Sequence, residues 1–309
     1  MPDFPVAPPA PFEGVFAAVL TPLLDDLAAD EVALAAHCHR LLAQGCDGLS
    51  LLGTTGEANS FSLNERIRIL EAVVEAGIPP ARLMPGTGCC SITETTILTK
   101  RAVELGCAGV LMGPPFYYKN VSDEGIHAAF SEVIQRVGDG ALRIYLYHFP
   151  QMSAVPLSLD LIESLLKDYP VAVAGMKDSS GDLNNMTAAA KAFPGFRVFS
   201  GADDLLLPLL KAGGAGCITA ISNISAPLAA EVLAKWRTGG GDAAHTMLCK
   251  LRRVITAYPI SAALKEIMAR HSGDGSWRTI RPPLVQLNDD DARALHAALA
   301  STGYGPPPL

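Results

Sequence analysis

Lys177 stands at the end of an apolar run, Val171-Ala-Val-Ala-Gly-Met176, with Asp178-Ser179-Ser180-Gly181 beyond it. An amine carried there loses solvation, which disfavours its ammonium form. The neutral amine is the form that attacks a ketone. The competing reading is an ion pair with a neighbouring acid, or a side chain that snorkels out to water. Upstream, Tyr147 lies in Tyr145-Leu-Tyr147-His148-Phe149-Pro150. Its phenol could relay protons or be structural, and strand alternation puts Tyr145 on the same face. Gly53-Thr54-Thr55-Gly56-Glu57 offers two hydroxyls and backbone N–H groups between glycines, a combination suited to a small carboxylate or phosphate. It reads equally well as a turn with capping hydroxyls. Tyr117-Tyr118, after Gly113-Pro114-Pro115-Phe116, places adjacent aromatics in a loop, as interface or lid packing also would.

All these residues fall at the ends of apolar runs. Runs at 14–22, 47–53, 82–88, 109–115, 143–150, 171–178, 197–202 and 216–222 alternate with amphipathic stretches. The amphipathic stretches are 30–42, 63–76, 91–105, 123–137, 158–167, 183–192, 204–212 and 227–236. Asp30, Ser62, Ser91, Ser122 and Ser158 sit where helix caps belong. Strand–helix units recurring roughly every 25–30 residues predict an α/β fold, a (β/α)8 TIM barrel, whose chemistry gathers at the C-terminal strand ends. A doubly wound open sheet is the alternative. Gly86-Thr-Gly88 lacks the third glycine of a dinucleotide fingerprint, which favours the barrel.

The expected organisation is a Pro-rich arm over 1–12, the barrel over 13–239 and a C-terminal helical part over 240–309. Gly239-Gly240-Gly241 marks the break, and helical stretches at 242–257, 261–271 and 289–300 follow without strands. Their apolar stripe serves either the barrel or a second subunit. Both ends, Pro8-Pro9 and Pro306-Pro307-Pro308, are expected to be loose.

With 309 residues, 49% of them hydrophobic and 18% charged, the chain can bury a large core. A formal charge of -7 offers no basic face for nucleic acid or anionic lipid. No apolar run approaches the ~20 residues of a membrane span. Residues 1–12 lack the basic start and apolar stretch of a secretory signal. The 7 cysteines are an odd number, so reduced thiols and a cytoplasmic location are expected. His37, Cys38 and His39 are too close in a helix to share a face, so no metal site is expected there.

Together, Gly53-Thr-Thr-Gly-Glu57, Tyr147-x-x-Pro150 and Gly175-Met-Lys177, in this order, resemble the dihydrodipicolinate synthase / N-acetylneuraminate lyase family of pyruvate-type aldolases. Ser200-Gly-Ala-Asp-Asp204 and Gly213-Gly-Ala-Gly-Cys-Ile218 also look like family segments. The resemblance runs from about Gly14 to Asn223, with a matching helical C-terminal part. It implies that Lys177 forms a Schiff base with the keto carbon of pyruvate or another 2-keto acid. Thr54 and Thr55 would hold the carboxylate, and Tyr147 would move protons. Thr55 would link Tyr147 to Tyr118 of a neighbouring subunit, with Tyr117 the competitor for that place. Ile218 would line the keto-acid pocket through its backbone, and Gly201 and Asp203 would contact substrate. The lysine imine is the electron sink, so no metal or organic cofactor is required. The resemblance also implies a homo-oligomer, dimer or tetramer.

Departures from the family pattern bear on the substrate. True dihydrodipicolinate synthases carry Gly-Arg after Tyr-x-x-Pro, and the arginine grips the second substrate's carboxylate. Here Gln151-Met152 occupies those places, and His148 stands where Asn is usual. The expected function is therefore a lyase joining pyruvate and an aldehyde other than aspartate semialdehyde, not a true dihydrodipicolinate synthase. Asp203-Asp204 could meet sugar hydroxyls, as in the lyase branch, or cap the helix that follows. Ala220 stands where that branch offers a serine. Lys177-Asp178-Ser179-Ser180 resembles members acting on 2-keto-3-deoxy sugar acids. Two alternatives are a 2-keto-3-deoxy sugar-acid dehydratase using the same imine and a non-catalytic keto-acid-binding protein. Retention of Lys177, Tyr147, Thr54 and Thr55 argues against the second.

Overall fold

Apolar runs short enough to be covered on both faces form the strands β1 (Gly14–Ala18), β2 (Gly48–Ser50), β3 (Val110–Met112), β4 (Ile144–His148), β5 (Val173–Asp178), β6 (Arg197–Ser200) and β7 (Gly216–Thr219) in the computed structural model. The structure describes residues 12–308, so the expected Pro-rich arm lies outside the described residues apart from Phe12. All strand pairs are parallel, in the order β2-β1-β7-β6-β5-β4-β3.

The eighth expected strand, 82–88, is a correction: it forms isolated bridges rather than a ladder. Met84 and Gly86 donate to Leu49 and Leu51 on one side, and Thr87 donates to Leu111 on the other. Pro85 has no N–H to continue the β3 side, although its carbonyl accepts from Leu111. A Cβ on Gly86 would sit 2.3 Å from the Leu52 carbonyl oxygen, so only glycine allows this approach. The segment closes the TIM barrel that the strand order opens.

Alternation along the strands makes two apolar layers. Phe16, Ala18, Met84, Leu111, Tyr145, Phe199 and Ile218 fill the barrel interior. Val15, Leu49, Val110, Leu146, Met176 and Val198 pack outward on the helices. Asp30, Ser62, Ser91, Ser122 and Ser158 each cap a helix by accepting from a first-turn N–H. The helix expected from 227 begins earlier, as Ser222–Lys235, with a kink at Ser225 two residues before Pro227.

The C-terminal helices Asp242–Ile255, Ile260–Ser272 and Asp289–Ser301 bury their apolar stripe on the barrel's own Leu20, Ile221 and Ile224. The C-terminal prolines, expected to be loose, are tied down. Gln44 donates to the Pro308 carbonyl, and His271 Nε2 lies 2.9 Å from the Pro307 carbonyl.

Candidate active site

Parallel pairing of β4 with β5 sets Tyr147 beside Lys177. Both side chains belong to the inward-facing set, since Tyr147 packs against the barrel-interior cluster and Met176 faces the other layer. Lys177 is 5% exposed, and its Nζ lies 4.7 Å from the Tyr147 ring centroid. The ion-pair alternative is not realised by the acid next to it. Asp178 points to the helix side, where its carboxylate accepts from Ser180 N and Asn185 Nδ2. His148, in register with Asp178, accepts from Leu157 N through Nδ1, and burial lowers its pKa.

The phenol of Tyr147 reaches across the mouth to Thr54, with 3.3 Å between hydroxyl oxygens. This corrects the expected link: the threonine touching Tyr147 is Thr54, not Thr55. Thr55 is buried, and its carbonyl lies 3.5 Å from Ser261 Oγ of the C-terminal helices.

The Thr54-Thr55 loop is held from both sides. Its left-handed residues are Leu52 (φ 56) and Glu57 (φ 59) rather than the glycines. Such backbone costs of order 1 kcal/mol per residue, so surrounding contacts must maintain it. Gly56 serves close approach instead: a Cβ there would lie 2.8 Å from the Val19 carbonyl oxygen. Thr21 Oγ1 donates to the Gly56 carbonyl at 2.9 Å. Glu57 forms a buried ion pair with Lys265 of Ile260–Ser272 and accepts from Arg281 N at 2.8 Å. Lys265 also donates to the Thr279 carbonyl at 2.7 Å. Burial lowers the Lys265 pKa, against the opposing pull of Glu57.

Three other expected site residues are placed as follows. Ile218 is fully buried in the inner cluster. Gly201 N donates to the Asp178 carbonyl at 2.7 Å, tying the end of β6 to β5. Asp203, expected to meet substrate, is a correction: it is fully buried, with one carboxylate oxygen 3.7 Å from Arg252 of the C-terminal helices. Asp204 pairs with Arg252 at 3.0 Å, and neither acid caps the following helix. Burial raises the Asp203 pKa.

Tyr117 and Tyr118 are each 73% exposed and stack edge to face. Among the described residues, neither hydroxyl bonds to Thr54 or Tyr147. His37 and His39 engage Asn223 and the Ala76 carbonyl, and no metal-sized cluster of three His, Cys, Asp or Glu occurs among the described residues. None of the described helices is long and apolar enough to cross a membrane.

A cleft of about 140 Å³ opens beside this site, with Thr54, Tyr147, Phe149, Met152 and Arg66 in its wall. Lys177 is not among its lining residues; Tyr147 belongs to both the cleft and the lysine's surroundings. Arg66 and the Glu57–Lys265 pair escaped the sequence reading. A signal was present for Arg66, which shares a helix face with Ile69, Leu70 and Val73 and is therefore a charge on a core-facing stripe.

Comparison with known proteins places these features in context. The profile of the Dihydrodipicolinate synthetase family matches residues 11–302. An uncharacterized DapA-like lyase of Chloroflexus aurantiacus is 35% identical over 287 residues, covering 92% of this chain and 95% of the relative. A 4-hydroxy-tetrahydrodipicolinate synthase of Synechococcus is 32% identical, covering 95% and 96%. Among solved structures, dihydrodipicolinate synthase from Agrobacterium tumefaciens superposes with a TM-score of 0.86 at 31% identity, covering 94% of this chain and 99% of that one. A prophage protein of the same family from E. coli K12, solved in complex with pyruvate, gives 0.87 at 26% identity, covering 95% and 99%.

Proposed function

The chain belongs to the Dihydrodipicolinate synthetase family, a family of lyases, and from that premise we propose that it makes or breaks a carbon–carbon bond between pyruvate and an aldehyde through an imine on Lys177. The observation that carries this reading is the placement of the Lys177 amine 4.7 Å from the ring of Tyr147, whose phenol meets Thr54. Lys177 Nζ attacks the keto carbon, and loss of water leaves a protonated imine. It accepts the electron pair when the adjacent carbon loses a proton or its bond to the aldehyde carbon, and the resulting enamine returns that pair to an aldehyde carbon or to a proton. Tyr147 carries protons to and from the nitrogen and the departing oxygen, with Thr54 passing them onward. Thr54 and Thr55, with the backbone N–H groups of their loop, hold the pyruvate carboxylate.

Tyr118 of a second copy completes the relay, with Tyr117 its competitor. The exposure of both rings leaves them free for such a contact. This requires at least a dimer, and a fully active monomer in light scattering would refute it.

The acceptor aldehyde follows from what stands beside the site. Met152, 62% exposed, lines the cleft, and Gln151 donates to the Ser180 carbonyl. Neither gives the two-pronged grip of an arginine, which supports an acceptor other than aspartate semialdehyde. The synthase names of relatives lend that exclusion no support, so aspartate semialdehyde is one arm of the test. The protein is incubated with pyruvate and a panel of aldehydes, and with 2-keto-3-deoxy sugar acids in the reverse direction. Pyruvate released from a keto-deoxy acid means carbon–carbon cleavage. A semialdehyde formed without pyruvate means dehydration and overturns the aldolase reading. Binding without turnover across the panel would restore the non-catalytic alternative.

A further inference from the structure

His148 ends β4 next to Tyr147 and is buried. From here the chain makes the short turn Pro150–Ser153 and returns to the helix Leu159–Asp168. The turn ends on Ala154 at φ 52, a left-handed conformation that a residue with a Cβ keeps only when its surroundings hold it. Ties hold this loop along its length. Ser153 Oγ accepts from Val155 N at 3.1 Å, and Gln151 Nε2 donates to the Ser180 carbonyl at 2.7 Å. At its end, Leu157 N donates to His148 Nδ1 at 3.1 Å, so the imidazole joins the last residue of the loop back to the strand it left. A backbone N–H only donates, which makes Nδ1 the unprotonated nitrogen of a neutral ring. Burial favours that neutral form, against the pull of Asp178 beside it in register. Leu157 is buried as well, and an N–H left there without an acceptor is costly.

The loop borders the place where the new bond would form. The Phe149 ring lies 5.8 Å from the Tyr147 ring, and Gln151 is tied to the segment that follows Lys177. The same histidine also braces that segment, since Ser179 N donates to the His148 carbonyl at 2.8 Å. We propose that His148 is a positioning residue for the acceptor aldehyde: its imidazole fixes the 149–157 loop, so that Phe149, Gln151 and Met152 meet the aldehyde approaching Lys177. The aldehyde role rests on the imine reading, whereas the loop anchor stands without it.

His148→Leu removes the acceptor. His148→Asn restores one, because the amide Oδ1 occupies the same place along the side chain as Nδ1. Amide exchange read by mass spectrometry on the full chain should be faster across 149–157 in His148→Leu and return toward wild type in His148→Asn. Kinetics use pyruvate with D-glyceraldehyde, benzaldehyde or aspartate semialdehyde. For each aldehyde that wild type turns over, KM should rise about 10-fold in His148→Leu, the effect of one lost hydrogen bond, and recover in His148→Asn. The yield of borohydride-trapped pyruvate adduct should stay at the wild-type level. Unchanged exchange in a folded His148→Leu overturns the proposal, as do equal losses of adduct and aldehyde turnover. Wild-type turnover of none of the three aldehydes overturns the aldehyde role. If His148→Leu does not fold, His148→Gln, whose acceptor lies one bond farther out, takes its place. Failure of wild type to form an adduct strikes the imine reading instead, and the exchange measurement still tests the anchor.

Discussion

Among the described residues two lysines are buried, and they differ in whether an acid holds the amine. Lys177 ends a strand, faces an aromatic ring and a hydroxyl, and has its neighbouring acid turned to the other layer. Lys265 sits in a C-terminal helix, paired with Glu57 and bonded to the Thr279 carbonyl. Burial is common to both, so burial alone does not make a nucleophile. What differs is whether the surrounding groups consume the amine. The two are nevertheless connected, because Glu57 closes the loop that carries Thr54 and Thr55. In the proposed mechanism Lys177 forms the imine, whereas Lys265 holds the loop on the opposite wall of the site.

Substitutions should separate these roles. The largest effect on chemistry is expected from Lys177→Ala: turnover falls to background while the thermal midpoint stays near wild type. Activity surviving in that variant would end the distinction. Tyr147→Phe is expected to lower kcat by about 10²–10⁴-fold, the usual range for a lost proton-transfer group, with far less effect on pyruvate-adduct formation at equilibrium. Equal losses in both would make Tyr147 a binding residue.

Lys265→Met should show the opposite pattern. Leaving Glu57 buried and unpaired costs about 3–5 kcal/mol of stability in chemical denaturation. The folded fraction should still form an imine with pyruvate, at raised KM, because the Thr54-Thr55 loop loses its anchor. Adding Glu57→Gln should recover part of the stability, since the uncompensated charge is gone.

A smaller effect comes from a third buried base. His37, enclosed beside Arg40 and Asn223, is pushed down to about 3 by burial, from 6.5. Above pH 6.5 both folded and unfolded chains leave it neutral. Between 6.5 and 3 only the unfolded chain takes up the proton, so stability falls with pH by at most about 1.4 kcal/mol per unit. Urea titrations at pH 7.5 and 5.5 should show that loss, and His37→Asn should flatten it.

The strand side of the site was legible in the sequence and the loop side only partly. Lys177 and Tyr147 announce themselves because strand alternation and apolar runs are local patterns, and parallel pairing follows from the strand–helix repeat. The five predicted caps held for the same reason: an N-cap is decided within three residues. The Gly53–Glu57 motif showed its hydroxyls but not which one meets the phenol, since that depends on left-handed turns at Leu52 and Glu57. The turn at Glu57 is held by Lys265 and Arg281, more than 200 positions away. Asp203 misled because an acid pair looks the same whether it faces substrate or an arginine of a distant helix. The segment at 82–88 read as a strand by composition, and the missing N–H at Pro85 interrupts its pairing on the β3 side.

The most direct test of the account asks which buried lysine reacts. Wild-type protein is treated with pyruvate and borohydride, digested, and the modified peptide located by mass spectrometry. The account predicts a single reduced adduct on Lys177 and none on Lys265. An adduct on Lys265, or none with any of several 2-keto acids, would contradict it.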